Sequence, residues 1–250
     1  MYFIDVQGTL ISDKDKTPLP YALEFIEYLN KSNIPFVIVT NNTKREDFKE
    51  YLYKLGFKFK YYLDPLMVLD NKLSDNVAVF GGENLKEIIS NKYRLNYENP
   101  KYIVLSVDTY DSDDYAKMIE FILNGAKLIV MHKTSIYVKN SKRYPAVGAI
   151  AEMLKYATGC EYEVVGKPSV DFYNTARKVL GVKFKDITMI SDDLIGDLIG
   201  AKQLGMKTIL TLTGKIKNKN EIKTNPDLIV KNLKGLLDVK WFKKTDRWNW

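Results

Sequence analysis

FIDVQGTL, residues 3–10, sets the reading of the whole chain. The apolar run that begins at Tyr2 ends in Asp5, and a Gly8-Thr9 turn follows after Val6 and Gln7. That layout predicts a buried strand with a carboxylate held at its tip. The segments on its C-terminal side keep the same rhythm. LPYALEFIEYLNKSN places Ala22, Phe25, Ile26 and Leu29 at helical spacing, and PFVIVTNN reads as a second strand buried on both faces. KREDFKEYLYKLG is a second helix, ended at Gly56. Strand-helix-strand-helix order predicts a parallel α/β sheet.

The last third repeats the pattern. YEVVGKPS closes a strand, VDFYNTARKVLG is a helix, DITMISDD a strand, LIGDLIGAKQLG a helix and KTILTLTG another strand; PDLIVKNLKGLL gives a last strand and helix. The middle third (NVAVFGG, NLKEIISN, YIVLSVD, SDDYAKMIEFILNGA, KLIVMHK, AVGAIAEMLKYATG) is a second α/β unit. The expected architecture is α/β: a doubly wound, Rossmann-like parallel sheet built from residues 1–76 and 163–250, with a smaller α/β domain inserted at 77–162. The C-terminal KWFKKTDRWNW is expected to pack its tryptophans on the core.

The bulk properties narrow the function. The 250 residues are 46% hydrophobic and 28% charged, ordinary for a water-soluble chain with a real core. No apolar run approaches the ~18 residues of a membrane span, and no signal-peptide layout stands at the start. The single cysteine, Cys160, forbids an internal disulfide. A cytoplasmic protein without membrane contact is expected. The net charge of +7, from 38 Lys+Arg against 31 Asp+Glu, is spread among acids, so no nucleic-acid partner is expected. A basic surface that attracts a small phosphorylated substrate accounts for the sign. GKIKNKNEIK, residues 214–223, reads as a solvated loop, and the acidic SVDTYDSDDY, residues 106–115, as helix capping.

Ligands of doubly wound sheets sit beyond the carboxyl ends of the strands. Four such ends are polar: Asp5 with Gly8-Thr9; Thr40-Asn41-Asn42; Gly166-Lys167-Pro168-Ser169; and Ser191-Asp192-Asp193, with Asp197 a helical turn on. Gathered at one edge, they suit Mg²⁺ and phosphate. Hard carboxylate oxygens suit Mg²⁺. Thr40 and the amides after it can donate to phosphate oxygens, Lys167 adds a fixed charge, and Asp5 can attack phosphorus. No G-x-G-x-x-G follows the first strand, which argues against a dinucleotide fold.

DVQGT, VTNN, GKPS and SDDLIGD resemble the four motifs of the haloacid dehalogenase-like superfamily, and NGAKLIV, YPAVGAIAEML, GAKQLGMKTILTLTG and NPDLIV extend the resemblance to its NagD-type, capped phosphatases. The resemblance implies an Mg²⁺-dependent phosphatase that works through an aspartyl-phosphate. Asp5 matches the nucleophile. Thr40 and Asn41 match the phosphate binders, with Gly8 and Asn42 beside them. Lys167 matches the lysine that neutralises nucleophile and phosphate. Asp192 matches the metal carboxylate, and Asp193 is a metal ligand or stands just behind one. Asp197 matches the acid that positions Lys167 or a metal-bound water, and the position of Gln7 gives its backbone carbonyl to the metal. Caps of this type often mediate homodimers in similar proteins.

Two positions depart from the family pattern. Most members have Asp where Gln7 stands, and that Asp acts as general acid and base. Gln exchanges no proton at neutral pH, and such catalysis is typically worth about 10²–10⁴-fold. Three readings stay open: a phosphatase restricted to good leaving groups, a slow phosphatase or phosphotransferase, and a non-catalytic phosphate-binding or regulatory protein. In the cap, Met131-His132-Lys133-Thr134 stands where an Asn-x-Asp-like stretch is usual. The basic His132 and Lys133 there imply an anionic substrate, and His132 is a candidate proton donor to the leaving group. Ser191 stands where Gly is common.

Overall fold

The computed structural model describes residues 1–44, 46–139, 142–222 and 224–237. The aromatic C-terminal segment KWFKKTDRWNW lies outside them. The described residues divide into two compact units, one formed by 1–40, 46–63 and the chain from 173 onward, the other by 41–44 and 64–172.

The first unit opens with β1 (Tyr2–Ile4), α1 (Ala22–Lys31), β2 (Phe36–Val39), α2 (Glu46–Lys54) and β3 (Tyr61–Leu63). Helix α1 buries Ala22, Phe25, Ile26 and Leu29, the stripe its spacing predicts. Each large apolar side chain hidden this way is worth roughly 1.5–3 kcal/mol. Glu24 in its first turn and Lys31 in its last complement the helix dipole.

The second unit carries α3 (Pro65–Leu69), β4 (Val77–Phe80), α4 (Glu83–Ser90), β5 (Tyr102–Leu105), α5 (Ser112–Leu123), β6 (Lys127–Val130), β7 (Ile136–Lys139), β8 (Lys142–Pro145), α6 (Val147–Thr158) and β9 (Tyr162–Val164). The strands β4-β5-β6-β9 form a parallel sheet, and β7-β8 is an antiparallel hairpin. The acidic loop does cap a helix: the Asp111 side chain accepts from the Asp113 and Asp114 amides at the start of α5. Helix α7 (Val170–Leu180) follows.

The first unit resumes with β10 (Thr188–Ser191), one π-helical turn (Leu194–Leu198), α8 (Ile199–Gln203), β11 (Lys207–Thr211) and β12 (Leu228–Val230). Its six strands are parallel, in the order β12-β11-β10-β1-β2-β3. The chain winds outward from β1 in one direction and from β10 in the other, so the switch point lies between these two strands. The α/β fold with a second sheet is as the apolar runs imply.

Three expectations need correction. The strand before GKPS, β9, pairs with β6 in the second sheet rather than joining the sheet of β1. LIGDLIGAKQLG is a π turn followed by only five α-helical residues. The helix expected within PDLIVKNLKGLL is a short 3-10 turn, Leu233–Leu236. Strand β3 and the β7-β8 hairpin were not legible in the sequence. Among the described residues, no helix is long and apolar enough to cross a membrane.

Candidate active site

Asp5 and Asp192 lie just past the ends of β1 and β10, at the switch point, and both are buried. The Asp5 amide is fixed by the Ile190 carbonyl at 3.0 Å. One hydroxyl ties the two acids together: Thr9 Oγ1 lies 3.2 Å from Asp5 Oδ2 and 3.4 Å from Asp192 Oδ1, and accepts from the Asp192 amide at 3.0 Å. It has a single proton, which the two carboxylates share. Burial, and then the neighbouring Asp5 charge, push the Asp192 carboxyl well above the usual carboxylate range; the Lys215 amide, donating to Asp192 Oδ2 at 2.7 Å, pulls the other way.

The loop between the acids is tight. Gly8 has φ +81°, a conformation L side chains rarely adopt. A Cβ there would collide with the Asp192 carboxylate, as would one on Gly214. The Gly8 carbonyl accepts from Thr213 Oγ1 at 2.6 Å.

Gln7 is half-buried, and its Oε1 accepts from Thr40 Oγ1 at 3.1 Å. In that arrangement the Thr40 proton points at Gln7. With the amide turned over, Nε2 would donate to Thr40 instead and release the hydroxyl proton toward a ligand. Either way Gln7 contributes a hydrogen bond and no exchangeable proton.

The adjacent acids Asp193 and Asp197 are held differently. Asp193 Oδ1 accepts from the Gly196 amide at 2.8 Å, which caps the π turn, and its Oδ2 pairs with Lys215 Nζ. Ser191 Oγ donates to Asp197 Oδ2 at 2.7 Å and accepts from the Asp193 amide at 3.0 Å. The buried Tyr173 hydroxyl donates to the Asp197 carbonyl at 3.2 Å; burial first, then the Asp197 and Asp5 charges, hold it neutral.

No cluster of three or more His, Cys, Asp or Glu side chains that could hold a metal forms among the described residues. The donor set is instead two buried, mutually repelling carboxylates, Asp5 and Asp192. That suits Mg²⁺, which keeps several waters and uses one or two carboxylates.

The remaining candidate residues belong to the second unit. Asn41 clamps the backbone of Lys167: Oδ1 accepts from its amide at 2.8 Å, and Nδ2 reaches its carbonyl at 3.4 Å. The Lys167 side chain is buried, and the Lys167-Pro168 peptide is cis. Asn42 Oδ1 accepts from the Lys44 amide at 2.8 Å. His132 is buried, and its Nδ1 accepts from the Thr134 amide at 3.4 Å. Lys133 is half-exposed and engaged by Tyr162 and Glu152, whose carboxylate lies 3.3 Å away.

Reading the sequence missed three participants. Thr9 was seen only as a turn residue, Ser191 only as a departure from the pattern, and Lys215 only as part of a solvated basic loop. The signal for Lys215 was its place just beyond β11, a fourth strand end of the sheet that holds β1, β2 and β10.

Two family models match the chain: residues 2–92 match a haloacid dehalogenase-like hydrolase model and residues 164–236 a HAD-hydrolase-like model. Acid sugar phosphatase from Staphylococcus epidermidis is 28% identical over 227 residues, 85% of this chain and 86% of that protein. Phospholysine phosphohistidine inorganic pyrophosphate phosphatase from Rattus norvegicus is 32% identical over 151 residues, 58% of this chain and 56% of that one. Among solved structures, 4-nitrophenylphosphatase from Thermotoga maritima superposes with a TM-score of 0.82 at 25% identity, covering 94% of this chain and 95% of the other. NagD from Escherichia coli K-12 shares the fold, with a TM-score of 0.76 at 22% identity over 93% of this chain and 96% of its own.

Proposed function

Since the chain belongs to the haloacid dehalogenase-like superfamily, we propose that it is a NagD-type phosphatase that hydrolyses a small phosphorylated metabolite with Mg²⁺, through an aspartyl-phosphate on Asp5, and favours substrates with good leaving groups. The carrying observation is the pair of buried carboxylates at the switch point, joined by one threonine hydroxyl, with a glutamine two residues after the first of them. We take residues 77–162 as the cap domain.

In this reading Asp5 Oδ attacks phosphorus, the bond to the leaving oxygen or nitrogen breaks, and its electron pair departs with the leaving group. Water then attacks phosphorus, and the Asp5 carboxylate leaves. Asp5 and Asp192, with the backbone carbonyl of Gln7, would hold Mg²⁺, which would supply positive charge to offset that of the phosphoryl group. Lys167 offsets further negative charge. Thr40, Asn41, Gly8 and Asn42 orient the phosphate by hydrogen bonds. Asp193 orders the π turn, and Ser191 holds the Asp197 carboxylate in one rotamer.

Gln7 sets the specificity. It gives no proton to a departing alkoxide and takes none from the attacking water. An alkyl phosphate therefore loses most. Phosphoramidates, pyrophosphate, acyl phosphates and aryl phosphates, which leave without a proton or with little help, lose least. The phosphohistidine, phospholysine and pyrophosphate named for the rat relative belong to that second group.

The test is phosphate release with Mg²⁺ from alkyl, aryl, phosphoramidate and pyrophosphate substrates by wild type, Gln7→Asp and Asp5→Asn. Wild type should turn over the activated substrates only. Gln7→Asp should gain alkyl phosphatase activity by about 10²–10⁴-fold, and Asp5→Asn should be inactive on all. Equal activity of wild type and Gln7→Asp on alkyl phosphates would refute the leaving-group reading. Silence of both proteins on every substrate would refute catalysis itself in favour of phosphate binding.

A further inference from the structure

Lys215 touches both halves of the acidic cluster. Its amide donates to Asp192 Oδ2 at 2.7 Å, and its ammonium pairs with Asp193 Oδ2. It follows directly on Gly214, whose Cα packs against the Asp192 carboxylate so closely that no side chain fits there. The backbone of this residue is therefore fixed at the acids, while its side chain is half-exposed at 50%. Asp193, by contrast, has only 18% of its side chain exposed, and its other oxygen is committed to the Gly196 amide. A permanent positive charge thus stands beside a pair of carboxylates suited to a divalent cation, and it occupies the one oxygen of Asp193 not used as a helix cap.

We propose that Lys215 is a positioning residue that sets the cation affinity of this site: its charge opposes a divalent ion at Asp5 and Asp192, and its pairing withholds Asp193 from the ion. The inference rests on the cation site proposed above. Two like-signed charges several ångströms apart repel even in a partly solvated setting, and the repulsion doubles for a doubly charged ion. The consequence is a weak, readily exchanged Mg²⁺ in place of a tightly held one. The arrangement also keeps the acids partly neutralised when no ion is bound, since the Lys215 ammonium stands against Asp193 Oδ2.

The test is direct titration of the metal-free full chain with MgCl₂ by isothermal calorimetry, at constant ionic strength, for wild type, Lys215→Met, Lys215→Arg, Asp193→Asn and Asp192→Asn. Lys215→Met should bind Mg²⁺ about tenfold more tightly than wild type. Lys215→Arg, which keeps the charge, should match wild type. Asp193→Asn, which strips the lysine of its counter-ion, should bind more weakly. Raising KCl should shrink the difference between wild type and Lys215→Met. Unchanged or weaker binding by Lys215→Met overturns the inference, and so does tightening of equal size in Lys215→Arg. These outcomes separate it from the broader reading: if wild type binds Mg²⁺ and Asp192→Asn does not, the cation site stands whatever Lys215 does. If wild type binds none, the site and the inference fall together.

Discussion

Two pairs of strand ends, one pair in each parallel sheet, carry opposite charge. Beyond β1 and β10 stand Asp5, Asp192, Asp193 and Asp197; beyond β6 and β9 stand His132, Lys133 and Lys167. The two ends are also held by different means. At the acidic end, hydroxyls and amides grip buried carboxylates, with Thr9 on Asp5 and Asp192 and Ser191 on Asp197. At the basic end the exposed cation is paired with an acid, as Lys133 is with Glu152, while the buried Lys167 is fixed through its backbone by the Asn41 amide. Hydroxyls orient a carboxylate without cancelling its charge; counter-ions cancel it. Lys133 has its charge satisfied by Glu152, and at the acidic end Asp193 has its own satisfied by Lys215.

The contrast can be broken most severely at Lys167. Replacing it with Met should reduce phosphate release by about 10²–10³-fold, the usual cost of one preorganised electrostatic donor. Steady-state kinetics should place the loss mainly in kcat if the lysine serves the transition state, and circular dichroism should show the fold intact. A loss confined to KM would make Lys167 a binding residue only.

Gly8→Ala tests the geometric side of the acidic end. It forces a Cβ into a left-handed conformation and against Asp192. The backbone conformation alone costs about 1–3 kcal/mol, so the urea midpoint should fall clearly, with or without Mg²⁺.

The pH dependence of metal-free stability sharpens the contrast further. The Asp192 carboxyl titrates above its unfolded value, so the folded chain binds more protons than the unfolded chain in the window above ~3.9. The stability held by the protonated form is therefore lost as pH rises. Between pH 7 and pH 5 the metal-free protein should gain thermal stability on acidification. Saturating Mg²⁺ should flatten that slope, and Asp192→Asn should remove it without metal. A slope unchanged in Asp192→Asn would assign it to other groups.

The smallest effect belongs to the satisfied surface of the second unit. Lys72 lies 2.7 Å from Glu163 and 2.6 Å from Asp171. Exposed pairs of this kind contribute little, so Lys72→Met should cost less than about 1 kcal/mol in chemical denaturation and leave turnover unchanged. A larger loss would show that this end, too, depends on its charges.

Much of this was legible in the residues. Strands β1, β2, β10 and β11 are continuous apolar runs, and such runs are unambiguous when both faces are buried. The second sheet was also implied, because the middle third keeps its own alternation of apolar strands and amphipathic helices. What a run of letters does not contain is the partner. β9 has three residues, Tyr162–Val164, and its sequence is equally compatible with either sheet; only its pairing with β6 settles the matter. Strand β3 is equally short. The β7-β8 hairpin was hidden because β8, Lys142–Pro145, is exposed throughout and offers no apolar alternation. At the site, Asp5, Gln7 and Asp192 announced themselves by ending or following apolar strands. Thr9 and Lys215 did not, because their roles come from chain segments that meet only in the folded protein: Thr9 and Asp192 are 183 residues apart, and Lys215 and Asp192 are 23.

Gly8 and Gly214 press on the same carboxylate from two different loops. In a library of variants sorted only for folded protein, with no selection for turnover, these two glycines should be depleted of every replacement. The acids they enclose should not be: Asn at position 5 or 192 removes a repulsion and adds no volume. Intolerance and chemistry would then fall on different residues a few ångströms apart. A map of mutational sensitivity for this protein would outline the mould around the active site, while the reactive groups themselves stayed silent until a substrate was offered.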